Sequence, residues 1–376
     1  MIVAGEASGD AHATSLIKAL RDHSAGVELD FFGAAGPQMR AAGVEPVVSS
    51  DDLAIVGVAE IARALPMFWN SFQQLKKAAI VKKPDVVILV DFPEFNLKLA
   101  KVLKKQGFRV VYYISPQLWA WRKYRVSAVR KYVNLMLTIL PFEKEWYARH
   151  GVENVEYVGN PLANEVHSTS RKEEFCRVNN LKTTDPIVAF LPGSRQTEIS
   201  HILPDMLAAA KLIVSEKPEV QFVIPAASIK ARKSIDAIIE KTKPTATLRV
   251  VEKSTYDALS ASDAAAVTSG TATLETGIIG TPLAIVYKGS SLNYALLRPL
   301  INVEHFGLIN LIAGRRIATE LIQGHFTPSA LASELLRLLE PSNNLHARRE
   351  LRVAAEKLGT GGASSNAAAA ILRLLD

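Results

Sequence analysis

The chain has 376 residues, 48% hydrophobic and 22% charged, which excludes a disordered or fibrous chain and is too long for one core at roughly 150 residues per domain. Its single cysteine, Cys176, excludes a disulfide framework and a cysteine metal cluster and fits a reducing cytoplasm. The excess of 44 Lys+Arg over 37 Asp+Glu, +7 in all, favours an anionic partner: nucleic acid, a phosphorylated metabolite or an acidic membrane surface.

Met1-Ile2-Val3-Ala4-Gly5 runs directly into a first strand over Ile2–Ala4, without the basic and apolar segments of a secretory leader. The turn Gly5-Glu6-Ala7-Ser8-Gly9-Asp10 follows. It has glycines enough for close ligand approach but lacks the GxGxxG spacing, which disfavours a hydride-transfer enzyme. An ordinary turn with Ser8 as N-cap reads equally well, and His12 on the helix over 11–23 reads as a packing residue. Farther on, Leu65, Met67, Phe68, Trp69 and Phe72 precede Lys76, Lys77, Lys82 and Lys83. Large apolar residues beside clustered cations are what contact with an anionic membrane needs; the alternative places Phe68 and Trp69 in the core.

The strand at 85–90 ends in Asp91-Phe92-Pro93-Glu94-Phe95-Asn96. Two carboxylates at a strand's carboxyl end are where a general base belongs, with helix capping by Asp91 or Asn96 as the plainer reading. A helix over 96–106 leads to a strand at 109–114 and then to the cluster Ser115-Pro116-Gln117-Leu118-Trp119-Ala120-Trp121-Arg122. That cluster suits a sugar or lipid pocket better than nucleic acid, because no basic-aromatic stripe continues from it. After a strand at 134–140 the rhythm breaks, and the polar stretch around 158–185 marks a domain junction.

Beyond it, strands are expected at Ile187–Leu191, 221–224, 248–251, 264–267 and 283–286, with a helix over 205–215. Continuous apolar runs of this kind belong to parallel strands covered on both faces, so the fold class is α/β, with two doubly wound sheets. Two strand exits are built for anions. Gly193, Ser194 and Arg195 offer close backbone approach, a helix start and a guanidinium. Ser269, Gly270 and Thr271 open a second helix, and Glu275 lies one turn in, suited to ribose hydroxyls. Together they point to a nucleoside diphosphate. The final helix, Ala363–Leu375, follows Gly359-Thr360-Gly361-Gly362, a helix stop rather than a phosphate loop.

These motifs resemble the lipid-A-disaccharide synthase family of GT-B glycosyltransferases along nearly the whole chain. The resemblance rests on GEASGD, GVAEI at 57–61, KPDVVILVDFPEFN at 83–96, YYISPQLWAWR at 112–122, LPFEKEWY at 140–147, VGNPL, LPGSR and TSGTATLE. The chain departs from the family at Leu308-Ile309-Asn310, where Leu-Pro-Asn is usual, while Asn310, Gly314, Arg315 and Gln323 match. The resemblance implies two Rossmann-like domains facing a central cleft: 1–162 on the acceptor and lipid side, 163–350 for the UDP-sugar, and a helical segment at 351–376 packing back towards the first.

It further implies inverting transfer from UDP-diacylglucosamine to diacylglucosamine 1-phosphate, giving UDP and a β-1,6 disaccharide phosphate, with neither cofactor nor metal. Asp91 is the expected base, with Glu6 and Glu94 as rivals. Gly193, Ser194, Arg195, Ser269, Gly270, Thr271, Glu275, Asn310 and Gln323 are expected on UDP. Ser8, Gln117, Trp119, Trp121 and Arg122 are expected on the acceptor side. The expected location is cytoplasmic, peripheral on the inner membrane of a Gram-negative bacterium, without nucleic acid; a homodimer is left open. Competing readings are a muramyl-lipid glycosyltransferase, a UDP-sugar epimerase, or a non-catalytic nucleotide-sugar-binding protein.

Overall fold

The protein is described here by a computed structural model covering residues 1–24, 26–50, 53, 58–289 and 304–375. The chain divides into two compact units, Met1–Pro161 with Thr360–Asp376, and Leu162–Gly359. The division expected at 350/351 falls inside a helix, Pro341–Glu356, which stays with the second unit. Ala363–Leu375 belongs to the first unit. There its Ala367, Ala368 and Ile371 pack with Leu16, Ile17 and Leu20, and Asn366 donates to the Val158 carbonyl at 3.0 Å.

The first unit holds β1 (Ile2–Ala4), β2 (Phe32–Ala35), β3 (Glu45–Ser49), β4 (Val87–Val90), β5 (Val110–Tyr113), β6 (Leu135–Thr138) and β7 (Val155–Tyr157). They form one parallel sheet in the order β3-β2-β1-β4-β5-β6-β7. Its strands read as unbroken apolar runs because alternate residues feed two cores. Val87, Leu89, Val110 and Tyr112 enter one; Ile88, Val90, Val111 and Tyr113 enter the other. Both faces are thereby removed from water, as parallel sheets require.

In the second unit, β8 (Ile187–Leu191), β9 (Gln221–Ala226), β10 (Leu248–Glu252), β11 (Ala264–Thr268), β12 (Leu283–Tyr287) and β13 (Thr319–Ile322) form a parallel sheet ordered β10-β9-β8-β11-β12-β13. Small side chains on its central strands, Ala264 and Ala266, let Phe190, Phe222 and the helix Gln196–Glu216 close over them.

Strand order reverses between β1 and β4 in one sheet and between β8 and β11 in the other. At such switch points the connecting segments leave in opposite directions and open a crevice at the strands' carboxyl ends. The register pairs Ala4 with Val90 and Leu191 with Val267. The segments bordering the two crevices are therefore Gly5–Glu6 with Asp91, and Pro192–Gly193 with Thr268–Gly270.

Candidate active site

In the first unit, Asp91 and Phe92 both adopt left-handed backbone angles, φ 47° and 49°, a conformation that costs a non-glycine residue about 1–2 kcal/mol. Several contacts hold them there. The Asp91 carbonyl accepts from the Tyr112 hydroxyl at 2.5 Å and from Asn96 Nδ2 at 2.8 Å. The Phe92 ring lies against Gly5, where a Cβ would come within 2.4 Å of it, and stacks on Phe95 and Phe68 at 5.7 and 6.3 Å. Burial, reinforced by the negative charge of Glu6, pushes the Asp91 carboxyl up to about 6. Such a group is mostly ionised at neutral pH yet still basic enough to take a proton.

The two rival carboxylates are placed differently. Glu94 forms ion pairs with Arg122 and with Arg125, the latter at 2.6 Å, and these hold its carboxyl below the usual range. An engaged, weakly basic carboxylate is a poor proton acceptor, which corrects its expected role as a base. Glu6 is exposed at the start of the helix Ala7–His23, where it occupies the N-cap position expected for Ser8. Ser8 is an exposed first-turn residue. Asp10, by contrast, is buried and accepts from the backbone of Gln38 and Met39 at 2.9 and 3.1 Å. It caps the helix Pro37–Ala41 and ties β1's exit to β2's.

The aromatic cluster after β5 divides. Gln117 and Trp121 are exposed, and the Arg122 guanidinium lies 4.2 Å from the Trp121 ring centroid. Trp119 is buried and donates through Nε1 to Glu143 at 3.1 Å. Its expected acceptor contact is corrected to a packing role. Glu143, in the LPFEKEWY motif but assigned no role there, also accepts from the Leu140 backbone at 3.1 Å. Burial pushes its carboxyl up to about 7.

The apolar face ahead of β4 divides too. Trp69 and Met67 are 65% and 39% exposed; Phe68 and Phe72 are half-buried and pack on Phe95. The side chain of Leu65 lies outside the described residues. Of the cations, Lys82 is paired with Glu45, while Lys77 and Lys83 are exposed. Among the described residues no helix is long and apolar enough to cross a membrane.

In the second unit a cavity of about 700 Å³ is lined by Gly193, Ser194, Arg195, Ser269, Gly270, Thr271 and Glu275, the predicted residues, and also by Lys253, Tyr256 and His167. Its volume suits a nucleotide-sized ligand. The helix Thr271–Ile279 opens onto it without a side-chain cap, so its first-turn N–H groups and positive dipole end remain for an anion. Ser269 is turned away, donating to the Phe306 carbonyl at 2.8 Å. Glu275 is half-buried, accepts from the Tyr256 hydroxyl at 3.1 Å, and is pushed up by burial.

The other helix start is already engaged. The Glu198 carboxylate accepts from the backbone of Ser194 and Arg195 at 3.2 and 3.3 Å and from the Arg195 guanidinium at 3.1 Å. Gly193, at φ 106°, is required here, since a Cβ would meet Glu198 Oε2 at 2.5 Å. An anion binding at Gly193–Arg195 competes with that carboxylate for the Ser194 and Arg195 N–H groups and for the guanidinium.

Asn310 is also corrected. It is fully buried, donates to the Ala318 carbonyl and Glu320, and accepts from the backbone of Ile317 and Ala318, each at 2.8–2.9 Å. With donors and acceptor spent on the turn into β13, it has nothing left for UDP. Ile309, where the family usually has proline, sits in the helix Leu308–Ala313, its Cδ1 2.6 Å from a Cβ built on Gly277. Gln323 follows β13 with φ 53° and a buried Nε2 that has no partner among the described residues. The roles of Tyr256 and Tyr112 were missed, the first in an unremarked helix, Thr255–Ala261, and the second at the start of a motif that serves only the family resemblance.

A family model described as lipid-A-disaccharide synthetase matches residues 1–372. Proteins named lipid-A-disaccharide synthase include one from Syntrophus aciditrophicus, 43% identical over all of this chain and 97% of its own length. Another, from Nitrosococcus oceani, is 44% identical over 96% of this chain and 92% of its own. Among solved structures, the glycotransferase of kitacinnamycin superposes with TM-score 0.62 at 16% identity, covering 100% of this chain and 98% of that one. The UDP-GlcNAc 2-epimerase from Neisseria meningitidis gives 0.60 at 13%, covering 99% of each. The last two show a shared fold alone, whereas the sequence matches extend over motifs of both units. The chain belongs to the lipid-A-disaccharide synthase family.

Proposed function

We propose that this glycosyltransferase of lipid A biosynthesis condenses UDP-diacylglucosamine with diacylglucosamine 1-phosphate, using Asp91 as the general base. The Asp91 carboxylate takes the proton of the acceptor's 6-hydroxyl as that oxygen forms a bond to C1 of the donor sugar. The C1–O bond to the diphosphate breaks, and its electron pair leaves with UDP. One displacement inverts the anomeric centre and gives the β-1,6 disaccharide 1-phosphate, the same single-displacement logic as inverting glycosidases. The observation that carries the assignment is a half-buried carboxylate of raised basicity at the β1/β4 switch point.

Charge grows on the departing diphosphate. The uncapped helix start at Gly270–Thr271 supplies backbone N–H groups for it, and Arg195, once released from Glu198, supplies a cation. Glu275, oriented by Tyr256, accepts from the ribose hydroxyls. On the acceptor side, Gln117 and Trp121 offer an exposed polar and aromatic surface, with the half-buried, Glu94-paired Arg122 beside the Trp121 ring. The substrates carry acyl chains, and Met67 and Trp69, with Lys77 and Lys83 nearby in sequence, fit peripheral binding to the cytoplasmic face of an anionic inner membrane.

Incubating the protein with both lipid substrates in mixed micelles tests the reading. The expected result is UDP and disaccharide in equal amounts, each requiring the acceptor. UDP release without acceptor, or epimerised donor, would contradict it.

A further inference from the structure

Glycine would adopt the left-handed angles of positions 91 and 92 without strain, yet the chain places Asp, which tolerates them, and the bulky Phe there in succession, both at φ near 50°. Strain of this kind persists only where the surroundings over-determine it. The structure shows what does so. The Asp91 N–H donates to the Tyr113 carbonyl of β5 at 3.0 Å, and the Asp91 carbonyl takes the hydroxyl of Tyr112 from the same strand at 2.5 Å. Asn96, fully buried, gives Nδ2 to Val90 and Asp91 and leaves its own Oδ1 unpartnered. The Phe92 ring fills the space that Gly5 leaves and closes on Phe68 and Phe95.

We propose that Tyr112 and Phe92 are positioning residues, a hydroxyl clamp and an aromatic wedge that hold the left-handed turn and so aim the Asp91 carboxylate at the acceptor hydroxyl. This rests on Asp91 being the base. Tyr112 is fully buried and touches no substrate, so it acts through the turn alone. Loosening the turn displaces the carboxylate, and small displacements of a reacting group cost turnover while leaving ground-state binding alone. It also admits water to Asp91. The titratable and charged groups around the pair are Glu6 from β1's exit, Glu94, Arg125 and Tyr147.

The test compares Tyr112→Phe and Phe92→Gly with the wild-type protein in full pH–rate profiles on both lipid substrates. Tyr112→Phe is expected to lower kcat about tenfold with both KM values within about twofold. The acid limb of kcat moves down from about 6 towards the ordinary carboxylate range, because a loosened turn desolvates Asp91 less. Phe92→Gly relieves the backbone strain but removes the wedge, so it keeps a folded protein with the same kinetic signature.

Wild-type kcat and an unmoved acid limb in either folded variant overturn the proposal, as do losses that follow only the folded fraction. Asp91→Asn separates the two failures. If it keeps turnover, the base assignment falls, and the clamp with it. If Asp91→Asn is inactive while Tyr112→Phe and Phe92→Gly behave as wild type, only the clamp falls.

Discussion

The two switch-point edges are built from opposite materials. At β1/β4 the edge is dense: a strained turn, a half-buried carboxylate and interlocking aromatic rings. At β8/β11 it is open, with small residues, an uncapped helix start and a cavity of about 700 Å³. Density raises a carboxylate's basicity by desolvation, and so makes a proton acceptor. Openness leaves N–H groups and a helix dipole for a large anion. On the proposed reading one sheet topology carries two chemistries, set by what lies just beyond the strands.

Mutations on one edge should therefore leave the other edge's function standing. The largest expected effect is on the dense edge. Asp91→Asn keeps the shape, removes the proton acceptor and should lower turnover about 100-fold or more, measured as UDP release. On the open edge, Arg195→Ala should lower kcat by about tenfold or more if the guanidinium meets charge that grows during reaction. Arg195→Lys should rescue it only in part, since an ammonium lacks the planar fork. Unchanged kcat would leave Arg195 as the partner of Glu198 alone, an exposed pair of little worth. Glu275→Gln should chiefly weaken UDP, by about 1.5–3 kcal/mol, read by calorimetry.

The membrane reading is tested by Met67→Ser with Trp69→Ser, which spares the half-buried Phe68. Vesicles of anionic lipid should bind that variant roughly tenfold less, as expected for removing apolar contact worth about 1–2 kcal/mol. Equal binding would remove this face from the account. The smallest effect is a slope. Burial pushes the Glu143 carboxyl from its ordinary 4.5 up to about 7, so the folded state keeps a proton that the unfolded chain has lost. Its contribution is favourable below about 4.5 and is lost as pH rises through about 7, on the order of 3 kcal/mol in all. Glu143→Gln should flatten that part of the stability curve in denaturant titrations from pH 5 to 8.

Much of this was legible because parallel strands buried on both faces cannot alternate. β1, β4, β5, β6 and β8 to β12 stand out as apolar runs, and chemistry-bearing letters mark their exits. β2, β3, β7 and β13 did not stand out. β2 is Phe-Gly-Ala-Ala, too small to read as a strand, and the other three lie at sheet edges, partly exposed. At the sites, letters showed which residues carry polar groups but not where those groups are spent. Asn310 and Trp119 match a family pattern and are consumed by Ala318, Glu320 and Glu143. Tyr112 and Glu143 lie inside motifs that carry the family resemblance without showing a role, and only the fold turns their polar atoms onto the site's scaffold.

The division of labour between the edges is tested most directly by titrating UDP into Asp91→Asn and assaying turnover on the same preparation. The account predicts wild-type UDP affinity with turnover reduced about 100-fold or more. UDP affinity lost in step with turnover, or turnover retained, would contradict it.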